Sequence, residues 1–267
     1  MVDESHTMHE GTAMQNQWTS LLKDSVIWKG YDDQHSIEVA RLKIQNFIVP
    51  QLQRLNATRI LEVGCGSGVG PVVLRESGFE AYGIDPHFKD DVTDTYSFLI
   101  SGEGKRIPFP DRHFDLVYSL ETIEHVGTRD GMLELAEDYQ IERRLFIREL
   151  CRVSSRHVII TTPNKYFPVD EHHVDMHGNP GFRVHSPFEN KTLSARELRN
   201  GFREFGFELD AFLNPRGYYQ LERVKKKFGR IGSLVSDGLL RLSSNRLIGG
   251  SFLNPHLFLL FRRLDRA

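Results

Sequence analysis

Two carboxylates and an imidazole lie close together in the stretch Ser119-Leu-Glu-Thr-Ile-Glu-His-Val126. Glu121, Glu124 and His125 occupy positions i, i+3 and i+4. A helix there would place all three on one face. Such a face could hold Mg²⁺ or another hard divalent ion, with His125 as a ligand or as a catalytic base. The alternative is a glutamate that flanks a bound cofactor and a histidine that packs against its neighbours.

A second polar cluster follows the segment Thr161-Thr-Pro-Asn164. Four of the twelve histidines fall between positions 172 and 185, beginning with the pair His172 and His173. Loops at the carboxyl ends of parallel strands border ligand sites, so we predict that His172 or His173 is a general base and that His173 is a fourth metal ligand. The alternative is a solvated polar loop.

A glycine-rich turn, Glu62-Val-Gly-Cys-Gly-Ser-Gly68, follows an apolar run at residues 59–63. Glycines let the backbone approach a ligand closely. The spacing does not favour a dinucleotide, because Val69 or Pro71 stands where G-x-G-x-x-G needs its third glycine. The next apolar run ends at Asp85, whose carboxylate could accept hydrogen bonds from both ribose hydroxyls of an adenosyl group. A helix N-cap is the other interpretation of Asp85.

These motifs resemble those of class I S-adenosylmethionine (SAM)-dependent methyltransferases over about residues 58–210. Besides E-x-G-x-G-x-G and the acidic strand end, the chain has a G-E-G-x-x-I-P-F segment at 102–109 and F-D-x-V at 114–117. The resemblance implies that Glu103, in place of the commoner Asp, contacts the adenine amino group and that Gly104 offers its N–H to the ring. The cofactor-binding residues implied are Glu62, Gly64, Cys65, Gly66, Gly68, Asp85, Glu103, Gly104 and Glu121.

The E-x-x-E-H pattern is similar to that of ubiquinone-pathway O-methyltransferases and of small-RNA 2′-O-methyltransferases. This resemblance implies a divalent ion, such as Mg²⁺, at Glu121, Glu124 and His125, with His173 as a further candidate.

Strand and helix patterns alternate along the chain, which predicts an α/β fold with a Rossmann-like, doubly wound sheet of seven mostly parallel strands. We expect a disordered N-terminus (1–18), an N-terminal helical cap (19–56) and a methyltransferase core (57–267). A helical insertion is predicted at about 215–254, before the last strand. The strands are expected at 59–63, 81–84, 96–100, 114–119, 157–161, 207–213 and 256–261, and helices at 71–78, 138–153 and 194–205.

Composition restricts the class of protein and its partners. The chain has 267 residues, a net charge of -2 and two cysteines, which predicts a cytoplasmic protein without a disulfide framework. No apolar run is long enough to cross a membrane. Nucleic acid is not an expected partner, because no broad basic face is apparent. The oligomeric state is not set by the sequence.

The predicted insertion is much more basic than the chain as a whole. Between residues 216 and 246 eight basic and two acidic residues leave a net charge of +6, and apolar residues interleave at roughly helical spacing. We therefore expect a peripheral membrane contact through 215–247, or a lid over the acceptor site. A helical cap with a solvated basic face is the alternative.

The expected function is methyl transfer from SAM to a hydroxyl of a small-molecule or lipid-linked acceptor, assisted by a divalent metal. A quinone precursor, a sugar and a lipid-linked molecule are the candidate acceptors. Three alternatives stay open: a metal-independent N- or C-methyltransferase, an RNA 2′-O-methyltransferase, and a catalytically silent subunit that binds the cofactor.

Overall fold

The computed structural model describes residues 33–88, 90–129, 134–174, 180–182, 191–218, 229–230, 233–234, 237–238 and 240–264. The predicted disordered N-terminus lies outside these residues, as do residues 219–228, 231–232, 235–236 and 239 of the predicted insertion.

A seven-stranded sheet forms the centre of the fold, with strand order β10-β11-β7-β4-β1-β2-β3. All neighbouring strands are parallel except β11, which runs antiparallel to both β7 and β10. Two small two-stranded sheets, β5–β6 and β8–β9, stand apart from it. The strands are β1 (Arg59–Val63), β2 (Glu80–Asp85), β3 (Leu99–Ser101), β4 (Phe114–Leu120), β5 (Thr128–Arg129), β6 (Glu134–Leu135), β7 (Ser154–Pro163), β8 (Val169–Val174), β9 (Pro180–Phe182), β10 (Phe207–Phe212) and β11 (His256–Arg263).

Helices cover both faces of the sheet, because the central strands are apolar on both sides and must be buried on both. The helices are α1 (Asp33–Lys43), α2 (Val49–Arg54), α3 (Val69–Glu76), α4 (Asp90–Thr95), α5 (Tyr139–Val153) and α6 (Ala195–Glu204). A π-helical turn, Ile44–Ile48, joins α1 to α2. Side chains from α1–α3 pack on one face, and side chains from α5 and α6 pack on the other.

The sheet and its order confirm the predicted fold class. Most predicted elements lie within a few residues of those observed, and α6 begins with the predicted capping box, in which Ser194 and Glu197 exchange hydrogen bonds. β3 starts later than predicted, because Tyr96 still donates its N–H to Val92 at the end of α4. The predicted domain boundaries stay predictions.

No helix among the described residues is long and apolar enough to cross a lipid bilayer. The two cysteines, Cys65 and Cys151, are both free and buried.

Candidate active site

The glycine-rich turn connects β1 to α3 at the carboxyl edge of the sheet. Gly64, Gly66 and Gly68 all have positive φ, at 75°, 55° and 77°, a conformation that other residues rarely adopt. A Cβ at Gly64 would lie 2.3 Å from the Thr122 side chain, whereas a Cβ at Gly66 would meet nothing within 4 Å. The Thr122 side chain therefore fills the space beside Gly64, whereas the space beside Gly66 is empty.

Asp85, the last residue of β2, is buried beside this turn. Its Oδ2 accepts the Gly66 N–H at 2.9 Å, and its Oδ1 accepts the His87 N–H at 2.9 Å. Because α4 begins only at Asp90, Asp85 is not its N-cap. The structure thus brings together the acidic strand end and the glycine turn that the sequence singled out.

Glu62 lies beneath the turn, between β1, β4 and α3. Its Oε2 accepts the Tyr118 hydroxyl at 2.9 Å and would lie 1.9 Å from a Cβ at Gly70. Burial raises the pKa of Glu62 to about 8, although the hydrogen bond from Tyr118 acts in the opposite direction. Glu62 therefore supports the turn from below, and its predicted contact with the cofactor stays a prediction.

Cys65 turns its sulfur toward β2, where a Cβ on Gly83 would lie 2.7 Å from Sγ. Burial raises the pKa of the Cys65 thiol well above its ordinary value. The thiol therefore stays protonated and is a poor nucleophile.

Glu103 and Gly104 follow β3 and lie beside Asp85, whose carbonyl accepts the Gly102 N–H at 3.2 Å. The Glu103 side chain is exposed and pairs with Lys105 at 3.1 Å. Gly104 packs so closely that a Cβ there would lie 2.5 Å from the Phe146 ring. Only glycine fits at this approach. The predicted contact of Glu103 with the adenine amino group stays a prediction.

Glu121 follows the last residue of β4 and has a φ of 49°, a strained conformation for a residue with a side chain. Its Oε1 accepts the hydroxyls of Thr161 at 2.7 Å and Tyr218 at 3.1 Å. Its Oε2 lies 3.3 Å from Nε2 of His256. Burial alone raises the pKa of a carboxyl, but the interaction with His256 and the two hydroxyl donors outweigh it and hold the pKa of Glu121 below its ordinary value.

Glu124 and His125 lie in a short 3₁₀ turn, Ile123–His125. The Glu124 side chain is fully buried, and its Oε2 accepts the Thr162 hydroxyl at 3.0 Å. Burial, reinforced by the charge of Glu121, raises the pKa of Glu124 above its ordinary value. The His125 ring is partly exposed, and its Nε2 lies 4.0 Å from Glu124 Oε1.

The helix that would place Glu121, Glu124 and His125 on one face does not form, because the helical turn starts only at Ile123. The two carboxyl groups accept hydrogen bonds from adjacent residues of β7, Glu121 from Thr161 and Glu124 from Thr162. Among the residues whose side chains the structure describes, no three His, Cys, Asp or Glu groups converge so that they could hold a metal ion. The described side chains therefore do not support the expected metal centre.

His172 and His173 belong to β8, which pairs with β9. Their side chains lie outside the described part of the chain. Their predicted roles as base and as metal ligand stay predictions.

Sequence reasoning missed two partners of Glu121, namely Tyr218 and His256. His256 opens β11, and because β11 is antiparallel to β7, its first residue lies at the carboxyl edge where β4 and β7 end. Tyr218 follows Gly217, whose Cβ position would lie 2.3 Å from the Asn46 carbonyl oxygen. Its ring contacts Phe47 edge to face, which connects the N-terminal helices to the site.

Comparison with known proteins agrees with this fold. The model of a methyltransferase-domain family matches residues 37–211. The O-methyltransferase resE of Aspergillus sclerotiorum is 26% identical over 259 residues, covering 87% of this chain and 89% of its own length. The O-methyltransferase rstn1 of Aspergillus nomiae is 26% identical over 164 residues, covering 54% of this chain and 72% of its own.

A solved structure shares the fold. The 1,6-didemethyltoxoflavin-N1-methyltransferase of Burkholderia thailandensis matches with a TM-score of 0.51 at 10% identity, covering 96% of this chain and 90% of that one. The chain belongs to the methyltransferase-domain family and is a class I SAM-dependent methyltransferase.

Proposed function

We propose that this enzyme transfers the methyl group of SAM to a hydroxyl of a small molecule. The observation that carries the proposal is the likeness to the O-methyltransferase of A. sclerotiorum, which spans most of both chains. That likeness covers 87% of this chain, a larger share than the residues 37–211 matched by the family model.

The cofactor would be held at the glycine turn. The turn is open at Gly66, where a side chain would fill the space above it. Asp85, which contacts the turn, would accept hydrogen bonds from hydroxyl groups, and Glu103 would accept one from the adenine amino group. When bound, SAM supplies a methyl group already activated by its sulfonium charge. The protein must therefore position the acceptor, exclude water and accept a proton.

The acceptor side would lie at the ends of β4 and β7. Thr122, which contacts the glycine turn, is flanked by Glu121 and leads into the turn that carries His125. In the proposed step the acceptor O–H gives its proton to a ring nitrogen of His125, and the oxygen bonds to the methyl carbon. The carbon–sulfur bond breaks, and its electron pair stays on sulfur, so the products are a methyl ether and S-adenosylhomocysteine (SAH). His172 and His173 remain candidates for the same role.

Glu121 would remain ionised beside this reaction, since three partners hold its carboxylate and lower its pKa. A carboxylate there would orient a hydroxyl or compensate the positive charge of protonated His125. We propose further that no divalent ion bound by Glu121, Glu124 and His125 takes part. The Glu121 oxygens are already engaged, and the raised pKa of Glu124 keeps that carboxyl uncharged near neutral pH.

Two measurements test the proposal. Calorimetric titration of SAH into the purified protein should give saturable binding, before and after treatment with EDTA. Incubation with SAM and a panel of phenols, alcohols and amines should yield O-methyl products by mass spectrometry, again with and without EDTA. Products methylated only on nitrogen or carbon would contradict the acceptor class, and turnover lost to EDTA and restored by Mg²⁺ would contradict the metal-independent step.

The role of His125 has its own test. His125→Gln should lower kcat by about a hundredfold or more, the usual scale for a general base, while SAH affinity is retained. His113→Gln is the control, because His113 is also partly buried but packs against Phe109 away from the glycine turn. An unchanged kcat in His125→Gln would exclude His125 as the base.

A further inference from the structure

A buried arginine of α5 holds the backbone of the turn that carries His125. Arg143 is only 7% exposed. Its Nε donates to the Val126 carbonyl at 3.2 Å, and its Nη2 donates to the Glu124 carbonyl at 3.3 Å. These two carbonyls belong to the residues immediately before and after His125. The guanidinium therefore holds the chain on both sides of the proposed base.

A second side chain holds the carbonyl of His125 itself. Thr128 Oγ1 donates to this carbonyl at 2.7 Å. The peptide group before His125 is thus held by Arg143, and the peptide group after it is held by Thr128. Because peptide groups are planar and leave only φ and ψ free, holding both groups fixes the direction in which the His125 side chain leaves the backbone.

The next residues of the chain pack directly on the helix that carries Arg143. Gly127 has a φ of 79°, and a Cβ there would lie 2.7 Å from the Cα of Tyr139, the first residue of α5. The Gly127 carbonyl also accepts the Ala136 N–H at 2.8 Å. The guanidinium carbon of Arg143 lies 5.0 Å from the centre of the Tyr139 ring. The turn and the start of α5 therefore form one packed unit.

The same guanidinium connects this turn to the segment that leads into α6. Arg143 Nη2 donates to the Lys191 carbonyl at 2.7 Å, and Lys191 and Thr192 are both buried. Burial of a guanidinium is costly and lowers the pKa of Arg143. The hydrogen bonds to the three carbonyls offset that cost. An apolar side chain could fill the same space but could not hold the carbonyls.

From these contacts we infer that Arg143 is a positioning residue for methyl transfer, because it holds the turn in which the His125 ring faces the acceptor. The inference rests on the proposed function, in which His125 takes the acceptor proton. Arg143 acts through the backbone of His125 rather than on the reacting atoms. A catalytic group displaced by about 1 Å can lose on the order of a hundredfold in rate, so a loosened turn should slow the reaction measurably.

The kinetic test compares one substitution in two backgrounds. Arg143→Lys keeps the charge but loses the planar fork, so kcat should fall by about tenfold, while SAH affinity in calorimetry stays that of the wild type. In the His125→Gln background the same substitution should lower kcat no further, because the ring that Arg143 positions is absent. Arg144→Lys is the matched control, since Arg144 is the next residue of α5 but is exposed and pairs with Glu204.

Hydrogen–deuterium exchange measures the turn without turnover. The N–H groups of His125 and Val126 donate to carbonyls within the turn at 2.9 and 3.2 Å. Arg143→Lys should raise amide exchange in segment 122–129 and leave the glycine turn, 62–70, unchanged. Thr128→Val is the second variant, because it removes only the hydroxyl that donates to the His125 carbonyl. It should raise exchange in the same segment and lower kcat, and it tests the turn even if Arg143→Lys does not fold.

Several outcomes would overturn the inference. One is a wild-type kcat in Arg143→Lys or in Thr128→Val, and another is an equal loss of kcat from Arg143→Lys with and without the His125 ring. Faster exchange throughout Arg143→Lys, together with weaker SAH binding, would give Arg143 a general structural role instead. If His125→Gln keeps the wild-type kcat, the proposed base is wrong and the inference fails with it. If His125→Gln loses activity and Arg143→Lys does not, only the inference fails.

Discussion

Glu121 and His256 meet at 3.3 Å although they are far apart in sequence. Glu121 leaves β4 with a φ of 49°, and His256 begins the antiparallel strand β11. The same carboxylate accepts the hydroxyls of Thr161 and Tyr218, so β4, β7, β11 and the segment after β10 converge on one side chain. Strained residues that neighbouring structure holds in place are frequent at functional sites.

Removing one donor to Glu121 should shift the pH dependence of catalysis. Tyr218→Phe deletes the hydroxyl that donates to Oε1, and the pKa of Glu121 should then rise, because burial is opposed by one partner fewer. A lost hydrogen bond to a charged group corresponds to a shift of about one pKa unit. We expect the acid limb of kcat/KM to move to higher pH, so that activity falls at pH 5 more than at pH 8.

Tyr96→Phe is the control for that experiment. Tyr96 is also a buried tyrosine, but it packs beside Phe98, next to β3. A Tyr218→Phe profile that coincides with those of Tyr96→Phe and the wild type would show that Glu121 does not govern the acid limb.

Gly66 and Gly78 form a matched pair for testing the cofactor cradle. Both have positive φ, and a Cβ at either would meet nothing within 4 Å. Replacing either glycine with alanine should therefore lower the free energy of unfolding by about 1 kcal/mol through backbone strain. Only at Gly66 would the new methyl group enter the proposed cofactor space. Gly66→Ala should weaken SAH binding by about tenfold in calorimetry, while Gly78→Ala binds like the wild type; equal affinities would place the cofactor elsewhere.

Asp85 should contribute strongly to cofactor affinity. A hydrogen bond to an ionised carboxylate is worth about 1.5–3 kcal/mol. Asp85→Ala should therefore weaken SAH binding by about tenfold or more. His87→Ala serves as the control: it removes a ring that lies 3.1 Å from Asp85 Oδ1 but leaves the carboxylate in place. If both variants bind SAH alike, Asp85 has only a structural role at the turn.

Glu62 should make stability depend on pH. The pKa of this carboxyl rises from 4.5 to about 8 on folding, so the folded state binds its proton more tightly than the unfolded state does. Stability is therefore fully present below about pH 4.5 and is lost as the pH rises toward 8. Glu62→Gln cannot ionise, and its free energy of unfolding should exceed that of the wild type at pH 8 by at least about 1 kcal/mol.

Urea denaturation at pH 4.5 and pH 8 measures this difference. Glu38→Gln, on the exposed surface of α1, controls for the loss of one negative charge. A Glu62→Gln difference that is the same at both pH values would contradict the argument from burial.

The parts of this molecule that sequence could predict are those encoded over short distances. Alternating apolar runs predicted the sheet, and Ser194 and Glu197 predicted the start of α6, because a capping box needs only four residues. The glycine spacing predicted a tight turn after β1, and Gly64, Gly66 and Gly68 all have positive φ in that turn.

The parts that failed depend on contacts between distant segments. Glu121, Glu124 and His125 have helical spacing, yet Glu121 takes a left-handed conformation because its N–H and carboxylate bind Thr161 on the next strand. The local sequence does not predict that contacts with Thr161 override the helical spacing of these residues. His256 was missed for the same reason, since only the antiparallel direction of β11 brings it to the site.

The position of β11 in the sheet also constrains the order in which this protein assembles. β11 follows every other strand of the sheet in sequence, yet it lies between β7 and β10. During synthesis β10 therefore has no edge to join until residues 256–263 have left the ribosome, and the β7 edge stays unpaired meanwhile. The glycine turn and Asp85 come from strands completed much earlier. A nascent chain thus builds the cofactor half first, and the acceptor side is completed only when His256 reaches Glu121.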